Sequence, residues 1–450
     1  MSMTWEKLLC AERLTGRPAK HEPGRSPFLS DHDKIVFSGA FRRLARKTQV
    51  HPLASNDHIH NRMTHSLEVA CVGRTLAIRI AEALREAGSL PEGIVPTDLG
   101  DIVQSTCLAH DIGNPPFGHT GEEAIKSWFE REGGSYLERL GSAERADLLH
   151  FEGNAQGLRI LTTCEYHQFS GGMRLTYATL GAFIKYPWCA VDTVAGMRPK
   201  PNKYGIYQAD TANMREIAEK TGLLQRGENW YCRHPLVYLM EAADDICYGL
   251  IDLEDGLEMG LLRWGDLFDI IRPALKESEL PALERSLANI SESRRPGFIR
   301  GKVIDAYIEA CVEAFVENEK AFLDGTVEGD LISLCRPEIR DSVARAKSCA
   351  KERIFTHPRK VELEIGAYDV MSRLLSKLVP AASSWFHNGG VPPQKESRML
   401  IDLIGEKNLP ADAGEYQLLM AVVDYVSGMT DNHALYLSKQ FSGMGDSRYY

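Results

Sequence analysis

Sixteen residues, Cys107 to Glu122 (CLAHDIGNPPFGHTGE), gather two histidines, an aspartate and a glutamate around a sharp backbone break. Ile102, Val103, Cys107 and Leu108 run into this stretch with helical spacing, which places His110 and Asp111 near a helix C-terminus. Gly113-Asn114-Pro115-Pro116 ends that helix, because a residue before proline avoids helical backbone and proline donates no hydrogen bond. Adjacent side chains on a helix point about 100° apart, so His110 and Asp111 can share an ion only at the helix end, with other segments completing the shell. His65 and Asp244, on two further expected helices, bring the set to two imidazoles and two carboxylates. Mixed nitrogen and oxygen donors suit a divalent ion that keeps positions open for water and phosphate oxygens: Mg2+, Mn2+ or Co2+ foremost, with Fe2+, Ni2+ and Zn2+ also accommodated. Asp111 and Asp244 both fall among apolar neighbours, where an unpaired carboxylate is costly.

These residues need helices to carry them. Ser30 or Asp31 is expected to cap a helix running to Lys47, with Ile35, Val36, Phe41 and Leu44 apolar and Arg42, Arg43, Arg46 and Lys47 beside them. After a loop from Thr48 to Asn61, Arg62 opens a long helix to about Ala87, buried through Leu67, Val69, Val72, Leu76 and Ile80. A helix from His234 to about Gly260 places Asp244, Tyr248 and Asp252 on one stripe, with Asp245 turned away from it. Residues 168–212, crowded with Gly, Pro, Tyr and Lys, read as a loop-rich insertion carrying any short hairpin. Helical periodicity continues to the end. The expected class is all-α, with an N-terminal helix and arm over 1–29, the metal-bearing domain over 30–265 and a helical region over 266–450 packed on it.

Composition limits the partners. Of 450 residues, 44% are hydrophobic and 25% charged, the balance of an ordinary globular protein, and no apolar run reaches the roughly 18 residues of a membrane helix. The N-terminal stretch carries charges inside a capped helix rather than a signal pattern, so a cytoplasmic protein without membrane contact is expected. Ten cysteines without a CxxC pair read as reduced thiols. A net charge of −10 argues against general nucleic-acid affinity. Local basic clusters at 42–47 and 345–360 nonetheless suit a phosphate-bearing small molecule or single-stranded DNA.

The words FRRLARKTQV, NRMTHSLEVACVGR, HDIGNPPFGHTGE, FEGNAQGLRIL, LTYATLGAFIKYPW, HPLVYLMEAADDICY and DYVSGMTD, in this order across roughly residues 30 to 435, resemble the deoxyguanosine triphosphate triphosphohydrolase family of the HD phosphohydrolase superfamily. The resemblance implies metal ligation by His65, His110, Asp111 and Asp244, and chemical roles for His119 and Glu122. His119 would protonate the departing 5′ oxygen or position the nucleophile, with Glu122 orienting its ring. It further implies phosphate contacts from Arg62, Lys185 and Tyr186, contacts to the sugar 3′ hydroxyl from Gln49 and Asp252, and Tyr248 packed where a 2′ hydroxyl would sit. The implied reaction is attack of water on the α-phosphorus of a deoxynucleoside triphosphate, releasing deoxynucleoside and inorganic triphosphate, with dGTP as the default substrate. A homo-oligomer is expected from the same resemblance.

Two other readings compete. One is a different HD phosphohydrolase acting on a nucleotide phosphomonoester, an alarmone or a cyclic dinucleotide, against which stand the KYPW and FEGNAQ words. The other is a nucleotide or single-strand binding regulator, against which stand the intact ligand set and the His119-Glu122 pair.

Overall fold

Helix-forming sequence prevails along the chain, and a computed structural model shows 21 α-helices and one two-stranded sheet among the residues it describes. Those residues are 2–16, 18, 22–49, 60–166, 171–191, 203–355, 358–392, 394–405, 409 and 414–445. The all-α expectation holds. No helix among them is long and apolar enough to cross a membrane.

Ser26 caps α1 (Pro27–Phe37): its hydroxyl accepts the Leu29 amide at 3.0 Å, and Pro27 supplies the preset φ of a first helical residue. The expected cap at Ser30 or Asp31 is corrected, since both lie inside the helix and Asp31 is buried in an ion pair with Arg13 at 2.5 Å. Nor does this helix run unbroken to Lys47. Ser38 turns extended and caps a fresh short helix, Gly39–Arg43, followed by a 3₁₀ turn over Leu44–Arg46.

Asn61 and Thr64 close a reciprocal capping box on α2 (Arg62–Glu86), which puts His65 in its first turn. Of the residues expected to bury this helix, Leu67 is 44% exposed, because it stands off the stripe formed by Val69, Val72, Leu76 and Ile80. Proline at the first position opens α3 (Pro96–Ala109), and His110 forms its C-cap. The two helices lie antiparallel and close. A Cβ on Gly73 would stand 2.5 Å from the Cys107 sulfur, and one on Gly100 would stand 2.8 Å from Ile78. Next come α4 (His119–Arg131), α5 (Gly153–Arg159), α6 (Tyr177–Phe183) and α7 (Val237–Glu258), the last carrying Asp244, Tyr248 and Asp252.

The segment over 168–212 is more helical than its composition suggests, since α6 lies within it with Thr176 as N-cap. The hairpin is also displaced from that segment: β1 (Gln225–Gly227) pairs antiparallel with β2 (Trp230–Tyr231), beyond the insertion.

Two hydrophobic clusters organise the fold. One joins the N-terminal residues, α1 to α3, α6, α7 and the helices up to Ile354. The other gathers Ile125, Trp128 and Phe129 of α4 against Met371, Leu374 and Leu378 of α8 (Pro358–His387) and against α9 (Glu415–Ser427) and α10 (Asp431–Phe441). The candidate site opens along their seam. All ten cysteines are free thiols, six of them buried.

Candidate metal and phosphate site

The end of α3, the first turn of α2 and the middle of α7 meet at one point. His65 Nε2 lies 3.1 Å from Asp244 Oδ1, and His110 Nε2 lies 3.5 Å from that oxygen and 3.7 Å from Asp111 Oδ1. Donor atoms of His65, His110 and Asp111 all fall within 4.8 Å of one another. His110 is oriented from behind. Its Nδ1 donates to the Cys107 carbonyl at 2.6 Å, and a carbonyl only accepts, so the tautomer is fixed and Nε2 presents a lone pair to the cluster. Asp245 faces the other way, paired with Lys347 at 2.7 Å, in agreement with the stripe that selects Asp244.

The electrostatics match a cation site. Burial pushes the His110 ring toward its neutral form. Burial also opposes ionisation of Asp244 and Asp111, yet both are held below the usual carboxylate range, Asp244 by Lys185 and the two imidazoles, and Asp111 by the Arg62 guanidinium. Burial opposes charge on His65 too, and the hydrogen bond and charge of Asp244 raise it nonetheless. One imidazole that burial keeps neutral, a second hydrogen-bonded to Asp244 and two ionised carboxylates would together suit a divalent ion.

Past His110 the chain turns twice, Asn114 N–H to Asp111 O and Gly118 N–H to Pro115 O. The second turn ends with Phe117 at φ 64° and Gly118 at φ 58°, ψ −131°. Only glycine holds the latter conformation readily, and the Arg62 guanidinium lies where its Cβ would be, 2.6 Å away. This double turn starts α4 with His119 and Glu122 facing the cluster. His119 Nδ1 donates to Glu122 Oε2 at 3.1 Å, and Glu122 Oε1 accepts the Gly153 amide at 3.0 Å. The buried carboxylate is thus fixed, whereas the His119 side chain is 80% exposed.

A cavity of about 340 Å³ joins these groups. Gln49, Arg62, Lys185, Tyr186 and Tyr248 face it together with the four cluster residues, His119 and Glu122. Arg62 is buried and donates from Nη1 to Asp111 at 2.5 Å, while its Nε has no partner. Lys185 Nζ lies 3.1 Å from Asp244 Oδ2. Asp252 does not line the cavity. It sits one turn past Tyr248, 3% exposed, where burial, against the pull of His65, pushes its carboxyl up to about 7. Oδ2 of Asp252 and Oε1 of Gln49 are buried without a partner.

Sequence reading missed several lining residues. Asn114, Glu152 and Asn154 lie inside words already singled out, HDIGNPPFGHTGE and FEGNAQ, but polar side chains in a turn carry no sign of the direction in which they point. Lys203, 2.8 Å from Glu152 and 3.8 Å from Glu122, had only its position in the insertion to mark it, and Phe355 had nothing. Of the three histidines in the loop between Thr48 and Asn61, His51 and His58 lie outside the described residues. His60 stands away from the cluster, between Asp255 and Glu68. Lys47 leaves the proposed basic patch altogether, for it is buried and donates to two backbone carbonyls.

The HD domain family profile matches residues 62–235, from the start of α2 past the insertion to Pro235, just before α7. Similarity to proteins named deoxyguanosinetriphosphate triphosphohydrolase-like extends over almost the whole chain. One from Pseudomonas aeruginosa is 49% identical over 445 residues, 98% of this chain and 99% of its own length. Others are 37% identical in Synechocystis sp. and 31% identical in Listeria monocytogenes, each covering 98% of this chain and 100% of the relative. The chain belongs to that family, within the HD superfamily. It is a phosphohydrolase, and HD domains bind divalent metals. The profile ends before Asp244, so the fourth member of the cluster rests on the geometry of α7.

Proposed function

We propose that this protein is a metal-dependent deoxynucleoside triphosphate triphosphohydrolase with dGTP as substrate, yielding deoxyguanosine and inorganic triphosphate. The observation that carries this reading is the single cavity that the His65, His110, Asp111 and Asp244 cluster lines together with Arg62, Lys185, Lys203 and His119. Three cations around one cavity suit a chain of phosphates better than a lone phosphomonoester. A divalent ion held by the four cluster residues supplies a lowered water pKa and polarisation of an α-phosphate oxygen.

The protein's own residues do the rest. Arg62 offers an unpartnered Nε to phosphate oxygens, and Lys185 and Lys203 add charge whose carboxylate partners keep them protonated. Water attacks the α-phosphorus and the bond to the 5′ oxygen breaks. His119 Nε2 carries the proton delivered to that oxygen, its ring fixed by Glu122. The unpaired oxygen of Gln49 accepts from the sugar 3′ hydroxyl, and Tyr248, a helical turn from Asp244, fills the space of a 2′ hydroxyl, with Asp252 buried one turn behind it. Ten free thiols accord with a reducing cytoplasm, where we place the protein as a homo-oligomer.

The test is to incubate the metal-loaded protein with dGTP in Mg2+, Mn2+ and Co2+ and to resolve the products. Deoxyguanosine with triphosphate is expected. Pyrophosphate with dGMP, or no turnover of any deoxynucleoside triphosphate, overturns the reading.

A further inference from the structure

The DYVSGMTD word lies more than 300 residues from the HD pair, and none of its residues lines the cavity. Its last residue nevertheless touches both walls. Asp431 is 2% exposed, at the start of α10. Its Oδ1 accepts the Phe117 amide at 2.9 Å, and its Oδ2 accepts the Thr48 amide at 3.0 Å together with the Thr48 hydroxyl. Phe117 stands two residues before His119, and Thr48 immediately precedes Gln49. Beside it, Lys47 Nζ donates to the Asn114 carbonyl at 2.5 Å and to the Ser427 carbonyl at 2.9 Å, tying the same two segments to the end of α9.

Phe117 adopts positive φ, which a side-chain-bearing residue rarely holds and which persists only where surroundings impose it. A buried carboxylate receiving its amide is such a constraint. We propose that Asp431 is a positioning residue that sets His119 and Gln49 relative to each other, one carboxylate oxygen for each wall; this rests on the roles proposed above for those two residues. The carboxylate needs both oxygens because all three groups around it are donors. An asparagine has one accepting oxygen. With that oxygen toward Phe117 and its NH2 toward the Thr48 hydroxyl, the His119 wall is kept and the Thr48 amide is left unpaired.

Two measurements test this on the full chain. Without substrate, hydrogen exchange of the peptide containing Phe117 is compared in wild type, D431A and D431N, with amides of α2 and α3 as the reference for global folding. Exchange accelerates in D431A and stays near wild type in D431N. With dGTP, D431A loses kcat by about 10- to 100-fold and raises KM, whereas D431N keeps most of kcat and raises KM. Unchanged exchange at Phe117 in D431A, or equal loss of kcat in both variants, overturns the proposal. If D431A does not fold, D431N and T48V decide it: a rise in KM larger than the change in kcat supports the brace, and the reverse refutes it. Absence of dGTP turnover in wild type would remove the proposed function while the exchange result still judges the brace.

Discussion

At the scale of residues, His110 shows how a backbone group selects chemistry. The Cys107 carbonyl holds its Nδ1 proton, and the ring can therefore offer only Nε2 to the cluster. His110→Ala should abolish stoichiometric divalent-metal binding in calorimetry and turnover together; retained turnover would remove His110 from the metal set. His60 illustrates the opposite use of the same side chain. Both its nitrogens face carboxylates, Asp255 at 2.8 Å and Glu68 at 3.2 Å. Burial opposes the charge, but these partners raise it to about 10. A raised basic group stabilises the fold fully below its unfolded value of about 6.5, and that contribution is lost as pH rises through the folded value. The difference in urea midpoint between wild type and H60Q should therefore be largest near pH 6 and shrink toward pH 10, and a difference that grows over this range would show that the pair is not ionic. At this scale the sequence was readable where helical spacing separates two like side chains, as Asp245 turns off the Asp244 stripe toward Lys347. It was not readable for His60, whose partners lie 8 and 195 residues away.

At the scale of elements, the site depends on a turn that glycines make possible. A Cβ on Gly113 would stand 2.1 Å from the Gly153 carbonyl oxygen, so the HD turn and the start of α5 touch backbone to backbone. That contact brings the Gly153 amide to Glu122. Gly118 closes the turn in a conformation nearly confined to glycine. Gly118→Ala should cost roughly 1–3 kcal/mol of stability in denaturant titration. It should also raise KM for a triphosphate substrate, because the new Cβ meets the Arg62 guanidinium. An unperturbed KM would mean that Arg62 does not contact phosphate. The proline break was legible from sequence, since proline acts locally. The recapping at Ser38 was not: apolar spacing alone cannot distinguish one helix from two that share a face.

At the scale of the whole molecule, the cavity belongs to neither hydrophobic cluster. The His65, His110, Asp111 and Asp244 cluster rides on α2, α3 and α7 in one, while α4, which carries His119, packs against α8 in the other. Leu374 of α8, fully buried in the second cluster, is a test of this division. Leu374→Ala should cost about 2–5 kcal/mol, with faster hydrogen exchange in α4 and α9 and little change in α2 and α3. Uniform acceleration across both clusters would show a single cooperative unit. The seam also explains why residues near the C-terminus, Asp424 and Asp431, hold the FEGNAQGLR and HDIGNPPF segments by hydrogen bonds to Gln156, Arg159 and Phe117.

The sequence by itself determined the helical class, the family and the order of the site residues. Periodicity, proline breaks and the sequence of motif words are properties of residue type and spacing along one dimension. Only the tertiary structure decided that His119 is fixed by a carboxylate that is itself fixed by α5, that Lys203 joins the cavity while Asp252 stays beneath it, and that a C-terminal aspartate ties its two walls together. Those facts depend on direction and close approach between segments far apart in the chain, which packing of the two cores sets and no local pattern encodes.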